Sequence, residues 1–131
     1  MATMNKAEGE KMSGEEEQYR DVVHAVENGV DKAKTKLAWY NLSGRGGAKV
    51  DVDEAVALLE ERVKGKDGEA MWMLGLCCEY GMGCKQDLER AEELYKQSCE
   101  GGSAIGKFLA ENGKGMRGTG IMKVNSLLKQ L

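Results

Sequence analysis

Apolar residues recur along this chain at steps of three and four, the spacing that places side chains on one face of an α-helix. Tyr19, Val22, Val23 and Val26 form one such face, and Ser13-Gly14-Glu15-Glu16 before it has the spacing of a capping box. A helix is therefore predicted from about Ser13 to Asn28, with Asn28-Gly29 as a left-handed stop and Glu15-Glu16-Glu17 compensating its dipole. A second helix is predicted from Asp31, as its cap, to Leu42, carrying Ala33, Leu37, Trp39 and Tyr40. A third begins near Asp51 or Asp53 and buries Ala55, Val56, Leu58, Leu59 and Val63 before Gly65. Gly68 to Tyr80 and Asp87 to Glu100 repeat this plan, and Ala104 to Asn112 allows one more short helix with Ile105, Phe108 and Leu109. From Thr119, the residues Ile121, Val124, Leu127, Leu128 and Leu131 again have helical spacing.

These segments are copies of one another. Ala33, Leu37, Ala38, Gly44 and Gly46 return 37 residues later as Ala70, Leu74, Gly75, Gly81 and Gly83. Asp51, Ala55 and Leu58 return 36 residues later as Asp87, Ala91 and Leu94, so the first turn holds one extra residue. A fixed period of this length marks a stacked array whose units are too small to close a core alone and must lean on their neighbours. The first helix then reads as the second half of a unit that lacks its first half, an N-terminal cap, and the last as a closing helix or a free amphipathic tail for a partner.

Glycine positions follow from the same plan. Gly44 and Gly81 are expected at positive φ, and the small residues Ala38, Gly75, Ala55 and Ala91 to permit close approach of helix backbones. The chain has 18 glycines and no proline, so nothing in it forces a helix to break. Its 131 residues suit one domain. The domain plan is a disordered segment over 1–13 with little to bury, repeats over 14–118, and a capping or partner-binding helix over 119–131.

Ala70, Leu74, Gly75, Gly81, Gly83, Asp87, Ala91 and Tyr95, with the fainter first copy, resemble the Sel-1-like repeat, a relative of the tetratricopeptide repeat. The resemblance covers residues 15 to 112 and is specific over 33 to 102. It implies an all-α fold, a short right-handed superhelical α-solenoid of antiparallel helix pairs. It also implies an adaptor without catalytic activity, whose concave groove holds a peptide or helix of another protein. Two positions depart from the family pattern: the aromatic expected after Leu74 is Cys78, and its counterpart after Leu37 is Asn41. Tyr80 and Tyr40 are candidates to fill that space. Asn41 needs a backbone hydrogen-bond partner in such a core, unless its helix is rotated toward the groove. Trp39, Leu42 and Leu76 lie off the Ala-Leu packing line and form a candidate partner-binding stripe, whereas Trp72 suits the repeat's own core.

Charge and candidate chemistry add little to this picture. Residues 101–131 carry net +4 against −7 for the remainder, which fits a solvated helix face and is too weak to indicate nucleic acid. No stretch has the length of a signal peptide or a membrane span, so an intracellular, cytoplasmic protein is expected. Cys77, Cys78, Cys84 and Cys99 lie within one repeat, but their spacing is not that of a zinc knuckle, and they are expected to be free thiols. Cysteine-rich relatives staple helix pairs with disulfides; the partner place for Cys99 holds Lys107, which argues for a reducing compartment.

Ser126-Leu127-Leu128-Lys129 has the letters of a penicillin-recognising motif without its companion elements. Gly113 to Gly118 spells a dinucleotide fingerprint with no strand before it. The single histidine, His24, has no recognisable nucleophile. No catalytic residue, cofactor or metal is assigned. The alternatives are a β-lactam-type binder or hydrolase of the cysteine-rich branch, and a thiol redox or metal sensor. A homodimer through an exposed repeat end is a further expectation.

Overall fold

The computed structural model describes residues 13–112, and these form six α-helices with no strand. They are α1 (Gly14–Glu27), α2 (Ala33–Ser43), α3 (Val52–Lys64), α4 (Gly68–Tyr80), α5 (Leu88–Glu100) and α6 (Ala104–Asn112), with a short 3₁₀ turn at Arg45–Gly47. The segments 1–12 and 113–131, and with them the expected disordered start, the closing helix, the fingerprint-like run and the Ser-x-x-Lys letters, lie outside the described residues.

Helix starts follow local chemistry. Ser13 Oγ accepts from the Glu16 amide at 3.2 Å, and the Glu16 carboxylate returns to the Ser13 amide, so the capping box is complete. Asp51 and Asp87 cap α3 and α5 alike, each accepting from the amide three residues on at 3.0 Å. Asp31 does not cap α2. The Lys34 amide that its carboxylate would engage instead donates to the Asp31 carbonyl at 3.0 Å, Lys32 is already helical, and the Asp31 carboxylate pairs with Lys34 Nζ.

The turn between paired helices is built the same way twice. Gly44 and Gly81 end α2 and α4 at φ 71° and 67°, as expected. The capping residue of the next helix then donates its own amide back to the preceding one: Asp51 to the Asn41 carbonyl at 2.9 Å, and Asp87 to the Cys78 carbonyl at 2.8 Å.

Successive helices pack pairwise, and second-neighbour contacts run along α2, α4 and α6, which makes this the tighter, inner row. In the outer row, α3 and α5 are bridged by Arg90, whose guanidinium spans both oxygens of the Glu60 carboxylate at 3.1 and 2.6 Å. The core is one cluster running through the stack, from Ala38, Ala55 and Leu59 to Ile105 and Leu109. α4 lies at its centre with neighbours on every side, and most of its length is buried.

Gly75 serves a different purpose from the expected backbone approach. A Cβ on Gly75 would meet the Tyr95 ring at 2.5 Å, so its bareness makes room for that ring. The Tyr95 hydroxyl donates to Glu79 at 3.0 Å, and burial beside this carboxylate pushes the phenol's pKa up. In the first repeat the corresponding residues are Ala38 and Leu59, both fully buried, a larger residue facing a smaller one. Gly75→Ala is therefore expected to cost about 1 to 3 kcal/mol by overpacking. Tyr95→Leu in the same chain should recover part of that loss, because the pair then matches the first repeat. Urea melts of the two single variants and the double variant measure the coupling; strict additivity would refute it.

Candidate functional site

The inner row opens into a groove of about 660 Å³ between α1, α2 and α4, lined by Glu15 and Gln18, by Lys32, Thr35, Lys36, Trp39 and Tyr40, by Arg45, and by Asp67, Glu69 and Met73. Lys32, Lys36 and Trp39 follow at steps of four and three, so they share the face of α2 that looks into it. Among the described residues, no helix precedes α1 to cover this face.

The floor is held by a partly buried polar knot. Asp67, the cap of α4, accepts from the Glu69 and Ala70 amides through one oxygen, at 3.0 and 3.4 Å. Its other oxygen takes the Thr35 hydroxyl at 2.7 Å and the Arg62 guanidinium at 3.3 Å. Three helices meet at this one side chain. Burial works against its charge, but the Thr35 hydroxyl, the two amides and Arg62 outweigh it and hold the carboxyl below its usual range. A carboxylate whose pKa is lower folded than unfolded adds stability above its unfolded pKa and loses it as pH falls through the folded value. Asp67→Ala should therefore cost about 1 to 2 kcal/mol at neutral pH. The gap from the parent should narrow in acid, and urea melts at both pH values would show it; a gap independent of pH would exclude the ionised carboxylate as its source.

Aromatic residues form the walls. The Trp39 and Trp72 rings meet edge to face at 5.8 Å, and the Trp72 indole N–H donates to Glu69 at 2.8 Å. Tyr40 packs on Tyr19 at 5.2 Å, and Arg45 is paired with Glu15 beside them. Burial, then the Glu15 carboxylate, raises the Tyr40 pKa.

Of the three residues expected to face a partner, Trp39 lines the groove half-buried. Leu42 is half-buried against the core and is not part of the groove lining. Leu76 is 3% exposed, which takes it off the surface stripe. It holds the register of Trp39 one repeat on, but α4 is interior to the stack where α2 is near its end. Trp72 is fully buried, as the repeat pattern predicts. Asn41 stays in the core at 4% exposure; its Nδ2 has no hydrogen-bond partner among the described residues, and neither the backbone partner nor the rotation toward the groove is found. Tyr40 and Tyr80 are both half-buried. Thr35, Lys32, Lys36 and Asp67 were not singled out in the sequence, although the four-residue step from Lys32 to Lys36 ahead of Trp39 was a visible signal.

The four cysteines are unbridged. Burial first, then the nearby sulfurs, pushes the Cys77 thiol up to about 12. Cys78 rises to about 11 through burial and its contact with Cys84, opposed by Arg90. Cys77 and Cys78 are buried whereas Cys84 and Cys99 are partly exposed, so alkylation of the folded protein should label Cys84 and Cys99 first, and Cys77 and Cys78 only on unfolding. Peptide mapping of a labelling time course checks this order, and early labelling of Cys77 would contradict it. No three His, Cys, Asp or Glu side chains converge as a metal site among the described residues. His24 is exposed on α1, 3.7 Å from Glu27.

A stack of antiparallel helix pairs with a groove on its inner row is an α-solenoid, the architecture of helical repeat proteins. The chain belongs to the Sel1 repeat family: the model of that repeat matches residues 31–61 and 68–103, just over half of the chain. Its fold is shared with a Sel1 repeat protein from Oxalobacter formigenes, at TM-score 0.66 and 24% identity over 83% of this chain. It is also shared with a protective antigen of uropathogenic Escherichia coli strains that displays an SLR fold, at TM-score 0.60 and 21% identity over 79% of this chain. The matches span 43% and 22% of those two proteins. No described helix is long and apolar enough to cross a membrane.

Proposed function

We propose that this chain is a protein-protein interaction module, an adaptor that holds a peptide or helix of a partner protein in the groove along α2 and α4 and carries out no catalysis. The observation that carries this reading is Trp39, a large aromatic side chain set half-buried in an open groove whose floor is fixed by Asp67. Side chains of this kind, rigid on one side and open on the other, supply much of the energy of protein interfaces. Family membership supports the reading, since stacked repeats present extended concave surfaces. Unbridged cysteines are in keeping with a cytoplasmic setting.

The test is capture of partners from a cell extract by the chain and by its Trp39→Ala variant, with bound proteins identified by mass spectrometry. The reading predicts a set of proteins held by the parent and lost from the variant. Identical sets would remove the groove as the binding surface. Sedimentation separates the competing occupant, a second copy docking at an exposed repeat end, because only that mode raises the mass of the protein alone.

A further inference from the structure

The groove's ionic groups are not equally available to a partner. Of its carboxylates, Glu15 is paired with Arg45. Asp67 is consumed by Thr35, Arg62 and two amides. Glu69 is engaged by the Trp72 indole. Of its cations, Arg45 is the one bound to Glu15, and neighbouring Lys34, on another face of α2, is bound to Glu61 and Asp31. Lys32 and Lys36 are exposed and have no carboxylate partner among the described residues. They stand one turn apart on the α2 flank, in line with Trp39. The α4 flank opposite carries Glu69, half-buried.

From this we infer that the groove, if it binds a partner segment as proposed above, selects an acidic one: an aromatic or aliphatic residue seated on Trp39, with one or two Asp or Glu residues reaching Lys32 and Lys36. The arrangement fixes which side of the segment faces which flank as well as its composition. Carboxylates are drawn to the α2 flank and repelled by Glu69 on the other, so the segment turns its acidic side to α2. A nucleic acid fits less well, because its phosphates recur along the whole strand and the α4 flank carries the Glu69 carboxylate.

Selection of random phage-displayed peptides on the full chain and on a Lys32→Glu/Lys36→Glu variant tests this. Both lysines are exposed, so the variant should fold, and circular dichroism melts check that it does. The chain should recover sequences with Asp or Glu beside an aromatic or aliphatic residue. The best of these, synthesised with a fluorophore, should bind the charge-reversed variant about tenfold more weakly and lose affinity with added salt. Recovered peptides that need Trp39 but show no acidic excess, or that bind both proteins equally, would overturn the inference and leave the groove reading standing. Recovery of no peptide at all would overturn both. A single-stranded oligonucleotide that displaces the peptide and depends on the same two lysines would reassign the surface to nucleic acid.

Discussion

Gly83→Ala should destabilise the protein by about 3 kcal/mol or more, a large loss for so small a change. Positive φ, here 69°, accounts for about 1 kcal/mol of this, since a Cβ strains that conformation. The remainder comes from contact with the preceding helix. The added Cβ would stand 2.5 Å from the Val52 carbonyl oxygen and 2.8 Å from a Val56 methyl, and the carbonyl belongs to the first turn of α3 and cannot swing aside. Gly46 repeats the arrangement 37 residues earlier, with the Glu15 carbonyl at 2.7 Å and Tyr19 at 2.9 Å, the residues 37 before Val52 and Val56. Gly81 is the control: its φ is 67°, but the nearest atom to its Cβ would be 3.5 Å away. Urea melts should therefore rank Gly83→Ala and Gly46→Ala well below Gly81→Ala, which loses only the conformational part. Equal losses at Gly81 and Gly83 would rule out the inter-helix contact.

The same comparison shows what was legible in the chain. Gly44 and Gly81 could be read from local rules, because a helix that ends in a left-handed residue needs glycine whatever surrounds it. Gly46 and Gly83 were visible as a repeated spacing without a reason; the reason is a backbone carbonyl on the previous helix, about 30 residues away in sequence. Helices α3 to α6 were legible almost to the residue, since periodicity marks all four, aspartate caps agree with it at α3 and α5, and glycines follow α3, α4 and α5. Asp31 misled because a competing turn had taken the amide it was expected to bind.

At the groove, periodicity marked Trp39 and Leu76 alike, and only their places separate them, one near an end of the described stack and one in its middle. Lys32, Lys36 and Asp67 gain meaning from a groove that exists only once three helices are assembled. The repeat pattern thus encodes packing, while the residues that face a partner are those it leaves unconstrained.

Trp72→Ala and Trp39→Ala should part company, although the two rings touch. Trp72 is 0% exposed, and its removal leaves a large void at the centre of the stack and strips Glu69 of its indole donor. A loss of about 3 to 5 kcal/mol is expected, which for a chain this small threatens folding itself. Trp39 is half-buried, so its truncation forfeits the edge-to-face contact, worth about 0.5 to 1.5 kcal/mol, and some buried area, and leaves the core closed. Thermal melts of the two variants should show a severe loss for Trp72→Ala and a modest one for Trp39→Ala. Binding of a selected peptide should be lost in the still-folded Trp39→Ala protein by a hundredfold or more, on the order of 3 kcal/mol, as for an aromatic at the centre of an interface. If Trp39→Ala unfolds as readily as Trp72→Ala, Trp39 is a core residue and the groove has no anchor. If it stays folded and binds undiminished, the partner docks elsewhere. Loss of binding without loss of fold is the one result that assigns these neighbouring rings to different tasks.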